Sequence, residues 1–254
     1  MALDEFRPMT VMAGDSQIAE EKRIRVQGSK NMTLFPDLFI VEIYNMSEED
    51  LASLTDTKTL SVYGETGGLM CSGEIDDMFT KLSGANMITT ISVSDGKSFW
   101  RSKINRTLGG GSSIKTVWQT IIKNAKIGVF AADDVKLIRG QTFTGRLAEC
   151  VSMLAKSANG RAYITNGTVY ITSKGRSSEM VSLSDEDIIT DQDTATGARI
   201  VKTKVKGYPV GALVQLGNAQ YRLVSQKFNA DNFEGAWDAY LVLIKDTEFE
   251  MEGG

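Results

Sequence analysis

The chain has 254 residues, 42% hydrophobic and 24% charged, with 28 Lys and Arg against 32 Asp and Glu for a net charge of −4. Such a balance gives an ordered chain of one to three domains with room for a real core, and its acidic sign argues against a general nucleic-acid binder. Histidine is absent, which excludes histidine triads, histidine general bases and histidine metal sites. Cys71 and Cys150 stand too far apart for a zinc motif and read as small apolar core residues in a reducing compartment. No apolar run approaches the roughly 20 residues of a membrane span. The start Met1-Ala2-Leu3-Asp4-Glu5-Phe6 lacks the apolar stretch of a signal peptide, so none is expected.

Residues 1–34 are polar, with Arg7-Pro8, Gly14-Asp15 and the charge cluster Glu20-Glu21-Lys22-Arg23. They read as an N-terminal arm that contributes at most one strand, near Ile24-Arg25-Val26, and otherwise needs a partner for order. Strand signals begin with the apolar run Leu38–Tyr44. Ser47 then caps a short helix through Leu54 whose first turn is acidic, where the helix dipole favours it. Thr59–Gly64 alternates as a strand, Glu65-Thr66-Gly67-Gly68 turns, and Leu69–Ile75 returns. Met87–Val93 forms the next strand, entering the turn Ser94-Asp95-Gly96, and Phe99–Leu108 completes a first β segment over residues 35–108.

The middle, residues 109–177, changes period. Ser112 or Ser113 caps a helix with Ile114, Val117, Trp118, Ile121, Ile122 and Ala125 on one face. Asp134–Ile138 is expected as a short strand. A second helix is expected from Thr142 or Thr144, burying Leu147, Cys150, Val151 and Leu154 and stopping at Ala158-Asn159-Gly160, where Gly supplies the left-handed cap. Arg161–Thr165 and Thr168–Thr172 flank Asn166-Gly167, the strongest hairpin signal in the chain.

Residues 178–245 return to β structure. Ser182–Ile189 comes first, then Val201–Val205, the Gly207-Tyr208-Pro209-Val210-Gly211 turn, Ala212–Leu216, Gly217-Asn218-Ala219 and Tyr221–Phe228. After Asp231–Gly235 the last strand is Trp237–Ile244. Apolar and polar residues alternate through these segments, as in an antiparallel meander able to close as a small barrel. The fold class is therefore α+β, mainly β: two small β-barrel domains with a helix-helix-hairpin unit inserted between them. Residues 246–254 form a C-terminal tail in which Phe249 and Met251 alternate with Glu248, Glu250 and Glu252. Too few apolar residues remain there for a core, but the alternation suits an edge strand added to a partner.

Local chemistry is sparse. Gly109-Gly110-Gly111-Ser112-Ser113-Ile114-Lys115 lacks the Gly-Lys-Ser/Thr end of a phosphate loop and reads as a linker ending in a helix cap. The acidic cluster Asp185, Glu186, Asp187, Asp191 and Asp193 fails the EF-hand pattern at Thr196 and Lys202 and reads as a solvated turn with a cap. A carboxylate pair could serve a glycosidase without histidine, yet no segment resembles a lysozyme site. No catalytic, cofactor-binding or metal residue is assigned, and no enzymatic activity or cofactor is expected. Trp100, Trp118 and Trp237 read as core. Tyr208, beside Pro209, is less easily buried and is a candidate partner contact, together with Phe249 and Met251.

The C-terminal block resembles the final barrel of tailed-bacteriophage baseplate hub proteins, the late control protein D-like family. The resemblance lies in a valine-rich strand, a short hairpin into Tyr221-Arg222-Leu223, a glycine-marked loop and a last strand bearing Trp237. Val93-Ser94-Asp95-Gly96 followed by a helix after Gly111 falls in the same order. The likeness covers roughly residues 35–245; the chain is shorter than many hubs and is expected to lack peripheral decorations. It implies a homotrimer in the virion tail baseplate, assembled in the host bacterial cytoplasm, whose doubled barrels form a pseudo-six-fold ring. Such a ring joins the six-fold tail tube protein to a three-fold central spike protein, with tape-measure protein and DNA passing in transit through its channel and wedge proteins around it. The alternatives are a tail-associated peptidoglycan hydrolase and another β-rich tail component such as a distal tail protein.

Overall fold

A computed structural model describes residues 6–122, 125–177, 179–233 and 235–248. It opens with β1 (Thr10–Ala13), β2 (Ser16–Ile18), β3 (Ile24–Asn31), β4 (Asp37–Tyr44), α1 (Glu48–Asp56), β5 (Thr59–Tyr63), β6 (Leu69–Ser83) and β7 (Asn86–Asp95). The middle holds α2 (Lys97–Arg101), β8 (Lys103–Leu108), α3 (Ile114–Ile121), β9 (Lys126–Ala131), β10 (Gln141–Arg146), α4 (Leu147–Ser157), β11 (Arg161–Thr165) and β12 (Thr168–Thr172). The chain finishes with β13 (Met180–Leu183), β14 (Ile188–Asp193), β15 (Arg199–Lys204), β16 (Leu213–Leu216), β17 (Ala219–Asp231) and β18 (Trp237–Lys245). The protein is α+β and mainly β. No helix among the described residues is long and apolar enough to cross a membrane.

Both β segments share one 13-stranded sheet, ordered β14-β15-β18-β17-β3-β4-β7-β6-β5-β1-β2, with β16 on β17 and β13 on β16. Its pairs are antiparallel except β13–β16. The halves meet at the β17–β3 seam, in register from Ser225↔Asn31 to Asp231↔Arg25. Gly28 is required there, because a Cβ would lie 2.4 Å from the ring of Phe39. One core runs under both halves, joining Phe39, Val41, Leu60 and Ile91 to Val201, Leu223, Phe228 and Leu241.

Outward from the seam, the first four strands on each side share one connection pattern. On one side β3 is followed in the chain by its neighbour β4, and beyond β4 lies the β6–β7 hairpin attached by its second arm. On the other side β17 is followed by its neighbour β18, and beyond β18 lies the β14–β15 hairpin, again attached by its second arm. The matched strands lie on either side of the antiparallel seam. The order of the two hairpins along the chain is exchanged, and farther out the sides differ: β5, β1 and β2 extend the first, whereas β16 and β13 branch from β17.

The middle segment builds a second core. Trp118, Phe143, Val151, Leu154, Val169 and Ile171 lie within it, covered by the β8–β10 ladder and the three-stranded β11-β12-β9 sheet. Ser113 caps α3 through its Oγ, which accepts from Thr116 N at 3.1 Å.

Several local expectations change. Residues 10–31 supply three strands rather than one, because Val11, Ala13, Ile24 and Val26 alternate into the main core. Phe99–Leu108 does not end the first sheet: it splits into part of α2 and β8, and β8 pairs with β10. Asp134–Ile138 is no strand but touches Ser113 by an isolated bridge at Lys136, while the unforeseen β9 pairs parallel to β12. Thr142 and Thr144 lie in β10, as suits β-branched residues, and α4 starts only at Leu147. Asn159, with φ 50°, takes the left-handed cap instead of Gly160, whose own place is set by Ala132 and Ile171 packed against its Cα. The last strands are not a simple meander, since β15 skips β16 and β17 to pair with β18.

Candidate assembly site

The middle segment is fastened to the sheet by two buried polar clusters. The first sits under the Asn166-Gly167 turn, whose residues have φ 51° and 69°, the conformation of the tight hairpin that the sequence announces. Its two N–H groups point at the carboxylate of Asp95, which accepts from Asn166 N and, at 2.6 Å, from Gly167 N. Lys30 Nζ donates to Asn166 Oδ1 at 3.1 Å and to the Leu69 carbonyl at 3.3 Å. Asp37 accepts from Asn31 N and Nδ2 at 3.0–3.2 Å. Burial lowers the Lys30 ammonium, raises Asp95, and lifts Asp37 to about 7. Burial also pushes the Cys71 thiol to about 12, so it stays a neutral core residue.

The second cluster is built on Arg222, which is fully buried. Its Nε and Nη2 meet Asp246 Oδ1 at 2.8 and 2.6 Å. Nη1 donates to Gly211 O at 2.9 Å and to Thr172 Oγ1 at 3.3 Å, and Nη2 to Ser173 O at 3.1 Å. Asp246 Oδ2 accepts in turn from Gly175 N at 2.5 Å. One guanidinium therefore ties β17, the loop before β16, the exit of β12 and the end of β18. Arg has the donors for such a node and Lys does not. These clusters hold the middle segment against the sheet.

The expected contact residues fall differently. Tyr208 is buried in the main core, its Oη 3.4 Å from Thr203 Oγ1, because the turn carrying it folds back over β15. Phe249 and Met251 lie outside the described residues. Trp118 and Trp237 are core, with Trp237 Nε1 donating to Val205 O at 3.1 Å. Trp100 is only half-buried, its ring 4.5 Å from that of exposed Phe35 at a tilt of 35°. Together they line a groove of about 420 Å³ with Leu34, Lys156 and Arg161. In the acidic cluster, Asp187 completes a capping box with Ser184 and pairs with Lys206, while Asp191 pairs with Arg199.

The β6–β7 hairpin is a feature the sequence reading missed. From Asp76 to Met87 every residue but Met78 is exposed, and Leu82 and Met87 face each other across the strands. Met78-Phe79-Thr80-Lys81-Leu82 does not alternate strictly, so no period announces the strand, and neither face of the tip is covered in the single chain.

No family model matches the sequence, and no curated protein matches it either. Solved structures do share the fold. A 43 kDa tail protein of prophage MuSo2 from Shewanella oneidensis aligns over 94% of this chain and 97% of its own, with TM-score 0.65 and 12% identity. A tail protein from Neisseria meningitidis MC58 aligns over the same shares, with TM-score 0.62 and 11% identity. The E. coli c3393 protein, described as a component of the type VI secretion system with structural similarity to T4 bacteriophage tail proteins gp27 and gp5, aligns over 97% of this chain and 79% of its own. Its TM-score is 0.59 at 8% identity.

Proposed function

We propose that this chain is the baseplate hub of a phage tail or a related contractile injection particle. Three copies form a ring that joins the six-fold tail tube to the three-fold central spike and encloses the ejection channel. The observation that carries the reading is the matched order of strands about the β17–β3 seam. Each chain offers two similarly connected sheet halves, so three chains offer six, the number a six-fold tube requires, while the ring keeps three-fold symmetry for the spike. The likeness in fold to a prophage tail protein and a second tail protein along nearly the whole chain supports the same reading.

In this account the β halves, residues 35–108 and 178–245 in the sequence division, form the ring. They recruit β1–β3 to the first half and release β8 to the unit inserted between them. The two buried clusters hold that unit at a fixed angle, as a part under load needs. The role is structural, not catalytic. Tube, spike, tape-measure and wedge proteins are its partners, with DNA in transit only, in the virion baseplate after assembly in the host cytoplasm. Phe249 and Met251 are partner contacts of the tail. The test is a mass measurement of the purified chain alone and with tube and spike proteins, expected to give three copies per complex. A chain that stays monomeric in both, or that clears peptidoglycan in a zymogram, refutes the proposal.

A further inference from the structure

Charge is segregated along the chain. Residues 97–177 carry 14 Lys and Arg against 3 Asp and Glu, a net +11, while the remaining residues carry 14 against 29, a net −15. The modest total of −4 hides this division. Within the basic segment the loop Asp134–Gly140 stands out. Val135 is exposed and Ile138 is 96% exposed, with Lys136 and Arg139 exposed beside them. The loop is not frayed. Val135 O accepts from Ile114 N, and Leu137 exchanges backbone hydrogen bonds with Ser112 and Gly111, all at 2.8–2.9 Å. A large aliphatic side chain is thus held in water on a fixed backbone, between two cations with no ion pair among the described residues.

A complementary surface lies at the far end of the sheet. β14 is the terminal strand of its path, so one side of its backbone is unpaired among the described residues. A register shift at Ile189 breaks the ladder to β15, and Ile189 is 48% exposed. Asp185, Glu186 and Asp193 around it are exposed and have no ion pair among the described residues, in contrast to Asp187 and Asp191. The bulge and the acids block indiscriminate edge pairing but leave an apolar knob inside a negative rim.

We propose that the loop Asp134–Gly140 of one copy docks on the acidic β14 edge of a second copy, head to tail. Ile138 packs with Ile189, and Lys136 and Arg139 face Asp185, Glu186 and Asp193. Each chain carries both patches, and both stay uncovered within the chain, so the contact is heterologous and repeats around a ring. Apolar centres with charged rims are the anatomy of protein interfaces. A phosphate backbone, by contrast, has no use for a fully exposed isoleucine, and the −15 remainder repels a long polyanion. The inference deepens the ring reading above and rests on it.

The experiment is sedimentation of the full chain at 50 and 500 mM NaCl, with circular dichroism confirming that each variant folds. Wild type is expected to trimerise at low salt and to dissociate at least about tenfold more readily at high salt. K136E/R139E and E186K/D193K should each weaken association at least about tenfold, as should I138D. The chain carrying all four charge reversals should regain association to within about threefold. Trimers of K136E/R139E as tight as wild type, or a fourfold variant no better than the doubles, overturn the inference. So does loss of duplex-DNA binding by K136E/R139E with association unchanged, which assigns the surface to nucleic acid. A wild-type chain monomeric at 100 µM also overturns it, whereas the ring reading itself stands or falls on the copy number in assembled particles.

Discussion

Replacing Arg222 by Leu is the sharpest test of how the middle segment is held. The guanidinium is fully buried, donates hydrogen bonds to Asp246, Thr172, Gly211 and Ser173 at 2.8–3.3 Å and ion-pairs with Asp246 at 2.6 Å. Leu fills part of the volume but leaves a buried carboxylate without its counter-charge, and the carbonyls of Gly211 and Ser173 each lose one donor while keeping Ser177 Oγ and Arg176 N. Breaking one side of a buried ion pair costs about 3–5 kcal/mol. In a chain of this size each kcal/mol shifts the melting temperature by about 2–4 °C, so a loss of about 10 °C is expected by differential scanning calorimetry. Asp246→Asn keeps an acceptor for Arg222 and should lose less, about 1–3 kcal/mol. The double variant R222L/D246L should lose clearly less than the two single replacements R222L and D246L added together, because no charge is then stranded. A shift below about 2 °C for R222L, or strict additivity, would refute the reasoning.

Further outcomes follow from other named contacts. Asp37, raised to about 7 by burial from an ordinary value of 3.8, binds its proton more tightly when folded. Its contribution is therefore full below pH 4 and is lost as pH rises through 7, by up to about 4 kcal/mol; D37N should remove that slope from denaturation curves measured at pH 4–8, and an unchanged slope contradicts the assignment. Gly211 has φ 87°, and a Cβ there would lie 2.2 Å from Tyr163 Oη, so G211A should cost more than about 2 kcal/mol in urea denaturation; a loss under 0.5 argues otherwise. Replacing residues 82–87 by an Asn-Gly turn, which keeps Lys81 opposite Ile88, should leave the melting temperature within about 2 °C, since that tip is exposed. A truncation starting at residue 249 should keep the fold and weaken attachment of the spike in a pull-down, whereas one starting at 246 removes the partner of Arg222 and should unsettle the fold itself.

What the sequence showed was whatever short-range chemistry decides alone. The strands Thr59–Tyr63 and Trp237–Lys245 and the Asn166-Gly167 hairpin stand where alternation and turn residues place them. Ser47 caps α1 by accepting from Asp50 N at 3.1 Å, as its spacing foretold. What escaped depends on distant partners. β3 sits in a polar arm yet becomes the seam, because Val26 and Gly28 meet β17 some two hundred residues later. Tyr208 looked exposed beside Pro209, and only the return of its turn over β15 buries it. Arg222 was noted as part of a strand pattern; its role as a tether needed Asp246, Thr172 and Ser173 brought together by the fold. Charge segregation was legible from residue counts, but became meaningful only once Ile138 and Ile189 proved to be exposed beside opposite charges.

The central claim is that three copies of this chain stand between tube and spike. Electron cryomicroscopy of the assembled particle, with this chain labelled, tests it most directly. The account predicts three copies in one ring at the tube's tip, each placing its two sheet halves beside two successive tube subunits. Six copies in the ring, or a position away from the axis, would contradict it.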